Sequence, residues 1–75
     1  KSDFQLIFIG EKSLFRIASD LTFESARIYD INGTFVRYLS DEDLKNDISI
    51  IDLADGFYVF MAWDGQKAYT KKFLK

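Results

Sequence analysis

Four lysines, Lys67, Lys71, Lys72 and Lys75, fall within the last nine residues, and no acid accompanies them. Cations at that density could hold an anionic group or be read as a tag. On a terminal strand they could equally keep a sheet edge from pairing with another molecule. Carboxylates offer a second chemistry. Asp41, Glu42, Asp43 and Asp47 could give oxygens to a hard cation such as calcium, and Asp52 and Asp55 beside Gly56 raise the same idea. Their order matches no EF-hand loop, Lys45 sits among them, and acids in turns ordinarily bond the local backbone. Aromatic rings offer a third chemistry. Trp63, Tyr58 and Tyr69 could stack on sugars, against the plainer role of aromatics as strand formers that fill a small core. Catalysis finds little support. The chain has no His and no Cys, which removes the commonest general base and the softest nucleophile, and no serine has a base at activating spacing. We expect no enzyme activity, no metal and no cofactor.

The chain that must position these residues is short. Seventy-five residues hold one domain and one core. With 48% hydrophobic and 29% charged residues the composition is globular. The absence of Cys and His closes the disulfide and zinc routes by which small domains are often stapled. Eight Phe, four Tyr and one Trp are left to build the core. A net charge of −2 gives no ground for a nucleic-acid partner. No apolar run reaches a membrane span, and the start carries no signal peptide. The first residue is not Met, and residues 1–75 are expected to be a domain excised from a longer chain.

The hydrophobic period is two throughout. Strands are expected over Asp3–Ile9, Ser13–Ala18, Ser25–Asp30, Thr34–Leu39, Asp47–Leu53, Phe57–Trp63 and Lys67–Leu74. Turns fall at Gly10-Glu11-Lys12, Ser19-Asp20, Asn32-Gly33, the polar run Ser40–Asp47, Asp55-Gly56 and Asp64-Gly65. About seven short strands with turn signals every 8–12 residues or so describe an antiparallel sandwich or barrel. Ser40 with Asp43 three residues on is a capping box able to hold one helical turn.

Two hairpins allow a register to be stated. At Asn32-Gly33 a bulged type I turn, with Asp30 first and Gly33 left-handed, pairs Ile28 with Val36 and Ala26 with Tyr38. Arg27 and Arg37 then share the other face with Tyr29 and Phe35. A two-residue type I′ loop would instead set Ile28 opposite Arg37, and it separates apolar from charged residues less well. At Asp64-Gly65 a type I′ loop would set Phe60 opposite Tyr69 and Tyr58 opposite Lys71, with Val59, Met61, Trp63 and Leu74 on the other side.

The stretches SARIYDINGTFVRYL and IDLADGFYVFMAWDGQKAYTKKFLK, at residues 25–39 and 51–75, resemble the type A C-terminal sorting domain of type IX secretion in Bacteroidetes. The family pattern is an apolar strand, an Asp/Asn-x-x-Gly turn, a second strand, a polar loop, a Leu-x-x-Gly-x-Tyr block, a Gly turn and a Thr-Lys-Lys-like strand with a terminal lysine. Asp30 and Gly33 match the first turn. Leu53, Gly56 and Tyr58 match the central block, Gly65 the last turn, and Thr70, Lys71, Lys72 and Lys75 the end. The likeness runs over residues 13 to 75. One element departs from it: family members usually carry a Pro-Asn-Pro-like motif where Ile9-Gly10-Glu11-Lys12 stands here, and this chain has no proline.

The resemblance implies an Ig-like antiparallel β-sandwich of about seven strands that serves as a signal rather than an effector. A cargo reaches the periplasm by its own signal peptide, and this domain directs it through the outer-membrane translocon. A cell-surface sortase then removes the domain. Recognition is expected at the last hairpin, with Lys67, Thr70, Lys71, Lys72 and Lys75 projecting from an edge. That edge also gives an expected route to a homodimer or strand exchange. The alternatives are a small glycan-binding or adhesion module displaying Trp63, and a structural spacer beside a catalytic domain.

Overall fold

The computed structural model describes residues 4–11 and 13–75. Asp3, expected to open the first strand, and Lys12, expected in the first turn, lie outside the described residues. Seven strands follow in chain order: β1 (Phe4–Ile9), β2 (Leu14–Ser19), β3 (Ser25–Asp30), β4 (Phe35–Ser40), β5 (Ile48–Ser49), β6 (Phe57–Trp63) and β7 (Ala68–Leu74). One helical turn, α1 (Asp41–Leu44), lies between β4 and β5. Its capping box is complete: Ser40 Oγ accepts from the Asp43 N–H, and the Asp43 carboxylate accepts from the Ser40 N–H.

All pairing is antiparallel, in two sheets ordered β1-β2-β5 and β4-β3-β6-β7. The chain changes sheet between β2 and β3, between β4 and β5, and again between β5 and β6. This is a two-sheet, all-β sandwich. It differs from the constant-type immunoglobulin plan in one strand, because β4 lies beside β3 instead of β5.

The core follows from the period-two pattern. Ala26 and Ile28 of β3, with Tyr58, Phe60 and Ala62 of β6, turn inward against Phe4 and Phe15 of the facing sheet. Phe15 has no exposed surface and meets the rings of Phe8, Phe60 and Phe73 at centroid distances of 5.6–5.7 Å. Phe4 extends the cluster to Phe23 at 5.3 Å in an edge-to-face contact. Aromatic rings thus bridge the two sheets where a disulfide would in larger relatives of this architecture.

Three expectations are corrected. The turn at Asp30–Gly33 is bulged as read, with Gly33 at φ +85° donating its N–H to the Asp30 carbonyl at 3.0 Å. The ladder beyond it is not the one expected. Tyr29 faces Phe35, but a second irregularity then leaves Val36 unpaired, and Ile28 faces Arg37 while Ala26 faces Leu39. Arg37 therefore does not share a face with Arg27. It sits on the inner side of an edge strand, where its guanidinium reaches across to the other sheet.

The last hairpin carries a four-residue loop, closed by an Asp64 N–H to Lys67 carbonyl bond at 3.2 Å. Phe60 consequently faces Lys71, and Tyr58 faces Phe73. The register is two residues from the type I′ expectation, so every side chain keeps its face while its partner changes. The strand expected over Asp47–Leu53 shortens to Ile48–Ser49, because Leu53 N–H bonds the Ile50 carbonyl and bends the chain away.

Candidate functional site: the last hairpin and the crossing it clasps

The connection from β5 to β6 runs from one sheet to the other with little regular structure of its own, and three side chains from elsewhere hold it. Arg37 Nη1 donates to the Ser49 carbonyl at 2.6 Å, and its Nη2 meets both carboxylate oxygens of Asp52 at 2.7 and 2.8 Å. The buried Tyr58, second residue of β6, donates its hydroxyl to the Ala54 carbonyl at 2.7 Å. That bond returns four residues upstream at a sheet-to-sheet corner, the arrangement known in Ig-type sandwiches as the tyrosine corner. Lys75 completes the clasp. Its ammonium donates to the Leu53 and Ile51 carbonyls at 2.6 and 3.4 Å, and its backbone exchanges two bonds with Gly56 at 2.8 and 3.1 Å.

Leu53, Gly56, Tyr58 and Lys75, apart in the sequence pattern, thus form one structural unit. Leu53 packs on the core and offers its carbonyl to Lys75. Gly56 has φ +147°, a conformation that side-chain-bearing residues rarely adopt. A Cβ at Gly56 would meet nothing within 4 Å, so the requirement for glycine there is one of backbone conformation alone.

The two Asp-Gly turns are built by their carboxylates. Asp30 Oδ1 accepts from the N–H groups of Asn32 and Thr34, both at 2.9 Å. Asp64 Oδ1 accepts from Gln66 and Lys67 N–H at 2.9 and 2.8 Å, and its Oδ2 accepts from the Tyr69 hydroxyl at 3.2 Å. Those backbone bonds hold the Asp64 carboxyl below the usual carboxylate range. Hydrogen bonding from Arg37 does the same for Asp52, and from Arg16 for Asp47. The Tyr69 phenol is pushed up, first by desolvation and then by the neighbouring Asp64 charge.

The lysines do not form a projecting tag as expected. Lys71 turns inward opposite Phe60, is half-buried, and brings its ammonium to 5.5 Å from the Phe4 ring centroid. Lys75 is spent on the crossing. Lys67 and Lys72 are exposed, with their ammonium groups 5.1 Å from the Tyr69 ring and 4.6 Å from the Phe57 ring. Thr70 lies on the outer face, opposite Met61.

The other sequence candidates separate. Asp41 and Asp43 cap α1, Asp47 pairs with Arg16 at 2.9 Å, and Asp52 pairs with Arg37. Among the described residues no three His, Cys, Asp or Glu converge to hold a metal ion. Tyr58 stacks inward on Phe73, Tyr69 packs on Phe23, and Trp63 faces outward, so these three cannot form one sugar platform. In the sequence Arg37 and Asp64 stand out only as hairpin residues; Asp64-Gly65 marks the turn but not the three bonds its carboxylate accepts. Nothing local marks Arg37, whose role depends on the bulge beside it.

Fold and site together define a small β-sandwich whose most specific interactions lock a terminal hairpin onto an inter-sheet crossing. A model of the secretion system C-terminal sorting domain matches residues 11–75, and the chain belongs to that family, the sorting signals of type IX secretion. No curated protein and no solved structure matches it significantly. Membership implies action with the type IX machinery in general and export across the envelope to the cell surface or extracellular space. At the place of the Pro-Asn-Pro-like motif, Gly10 and Glu11 have φ +63° and +55°. A proline, locked near −65°, fits neither position of this turn.

Two expectations follow from this geometry. Gly56→Val should cost about 1–3 kcal/mol of stability through backbone strain alone, read from urea denaturation. A variant as stable as the parent would remove the conformational role given to Gly56. For pH, the folded pKa values of Asp47, Asp52 and Asp64 lie below their unfolded values. Each contributes stability that is fully present above an unfolded pKa of about 3.9 and is lost as the pH falls through the lower folded value. Tm should therefore hold between pH 7 and 5 and fall below about pH 4. A Tm unchanged down to pH 2 would contradict the three carboxylate assignments.

Proposed function

We propose that residues 1–75 are the C-terminal domain of a longer cargo protein and act as its non-catalytic export signal. The cargo enters the periplasm on its own signal peptide. This domain, read in the folded state, carries it through the outer-membrane translocon, and a cell-surface sortase then cuts the domain away. The match over residues 11–75 carries this reading. The joining of Leu53, Gly56, Tyr58 and Lys75 into one rigid unit supports it, since a signal read while folded needs a fixed surface. Recognition is assigned to the last hairpin, with Lys67, Thr70 and Lys72 as the accessible groups. Lys71 and Lys75 act by holding that hairpin in place.

The test is a reporter bearing a periplasmic signal peptide and residues 1–75, expressed in a type IX-competent bacterium. Surface delivery is expected for the whole domain, and periplasmic retention for a fusion lacking residues 67–75. Normal surface delivery of the truncated fusion would overturn the assignment to the last hairpin.

Pairing or strand exchange between two copies through β7 belongs to the same reading. β7 is the last strand of its sheet, and the two-way bond of Gly56 with Lys75 sets the alternation along it. Ala68, Thr70, Lys72 and Leu74 accordingly point their main-chain groups away from β6. Sedimentation equilibrium of the isolated domain should show dimer at high concentration, and monomer throughout the range would exclude this route.

A further inference from the structure

The outward face of the four-stranded sheet is unusually apolar for a surface. β6 runs through its middle and presents Phe57, Val59, Met61 and Trp63, with Phe57 47% and Trp63 42% exposed. Tyr29 of β3 stands directly opposite Val59, and Leu74 of β7 opposite Phe57. Single exposed hydrophobics need no explanation, but a contiguous strip across three strands marks a surface that something else covers.

The charges on this face have one sign. Its outward positions carry Arg27 and Lys72 and no Asp or Glu, although acids outnumber bases in the chain, twelve to ten. Both cations are exposed, and each lies beside a ring of the same face. Arg27 lies 5.8 Å from the ring centroid of Tyr38, and Lys72 lies 4.6 Å from that of Phe57. Val59 and Met61 of β6 lie between the two, and Tyr38 of β4 lies beyond Arg27 on the same face. Strand spacing and rise put their backbones about 12 Å apart.

We propose that this face docks a protein partner presenting carboxylates on either side of an apolar patch. The proposal deepens the sorting-signal reading and rests on it for the existence of a partner in the export machinery. Complementary charge chooses the occupant. A partner carboxylate arriving beside Arg27 or Lys72 meets a cation already placed against a ring, so the pair forms with less loss of side-chain freedom. A second copy seated face to face would bring Arg27 and Lys72 against their own counterparts, with no acid on the face to answer them. An anionic membrane would gain about 1 kcal/mol per basic residue near its surface, but only two are offered, by a chain whose net charge is −2.

The test uses the same reporter fusion with Trp63 replaced by the photo-crosslinker p-benzoylphenylalanine, irradiated in cells during export. The expected product joins the domain to a protein whose contacted peptide, read by mass spectrometry, carries Asp or Glu among apolar residues. Arg27→Gln with Lys72→Gln should lower the yield roughly tenfold. Ala18→Glu with Thr22→Glu makes the same charge change on and beside the three-stranded sheet, away from the face, and should leave it unaltered. Arg27→Lys alone should retain most of it. Crosslinking to lipid, to a second copy or to a peptide without carboxylates overturns the proposal, as does a yield indifferent to the paired Gln variant. Surface delivery of the reporter is scored in parallel. A delivered parent without the expected crosslink sinks the docking face and spares the sorting reading; an undelivered parent sinks the sorting reading, and the crosslink still judges the face.

Discussion

Everything in this fold depends on holding one stretch of irregular backbone, the crossing from β5 to β6, across the open side of a sandwich that has no disulfide. Carbonyls at Ser49, the last residue of β5, and at Ile51, Leu53 and Ala54 of the crossing accept from side chains in three separate places: Arg37, Lys75 and Tyr58. Each is a side chain that could have stayed in water. Using two cations and a phenol for main-chain acceptors converts the weakest segment into the joint between the sheets. The final strand is thereby fixed at both ends, by the Asp64 turn and by the Gly56–Lys75 bridge.

That constraint recasts the basic end of the chain. Four lysines within nine residues look like one feature, yet they divide into distinct tasks. Lys75 closes the crossing. Lys71 points inward from an edge strand, and Arg37 does the same from the opposite edge of the same sheet, at a bulge. An inward charge and a bulge both weaken an edge as a template for a stray strand, so the two ends of the four-stranded sheet are blunted by different means and pairing through β7 is left to high concentration. Only Lys67 and Lys72 remain for a partner, and Lys72 belongs as much to the aromatic outer face as to the strand edge.

The aromatic residues likewise serve two surfaces. Phe4, Phe15, Phe23, Phe60 and Phe73 fill the space between the sheets, while Phe35, Phe57, Tyr38 and Trp63 lie outside it. A domain of this size gains core from every ring it buries, so rings left exposed on one face are a cost accepted for some other purpose.

Much of this was legible in the residues themselves. Alternation at period two placed the strands; β3 and β6 have the expected limits, and five others lie within them or shift by a residue, with β5 the shortest. Asp30 with Gly33 announced a bulged turn and Ser40 with Asp43 a capped helical turn, because these are properties of a few neighbouring atoms. The ordered motif from Asp30 to Lys75 identified the family. What the sequence could not contain was the outcome of contacts between distant segments. A second bulge turned Arg37 inward, and a longer loop moved the last ladder by two residues. Tyr58 found the Ala54 carbonyl, and the terminal lysine folded back instead of projecting. Local rules set the alternation of faces along a strand, whereas the bulge that resets it and the partner each side chain meets are decided only when both sheets close on the same aromatic core.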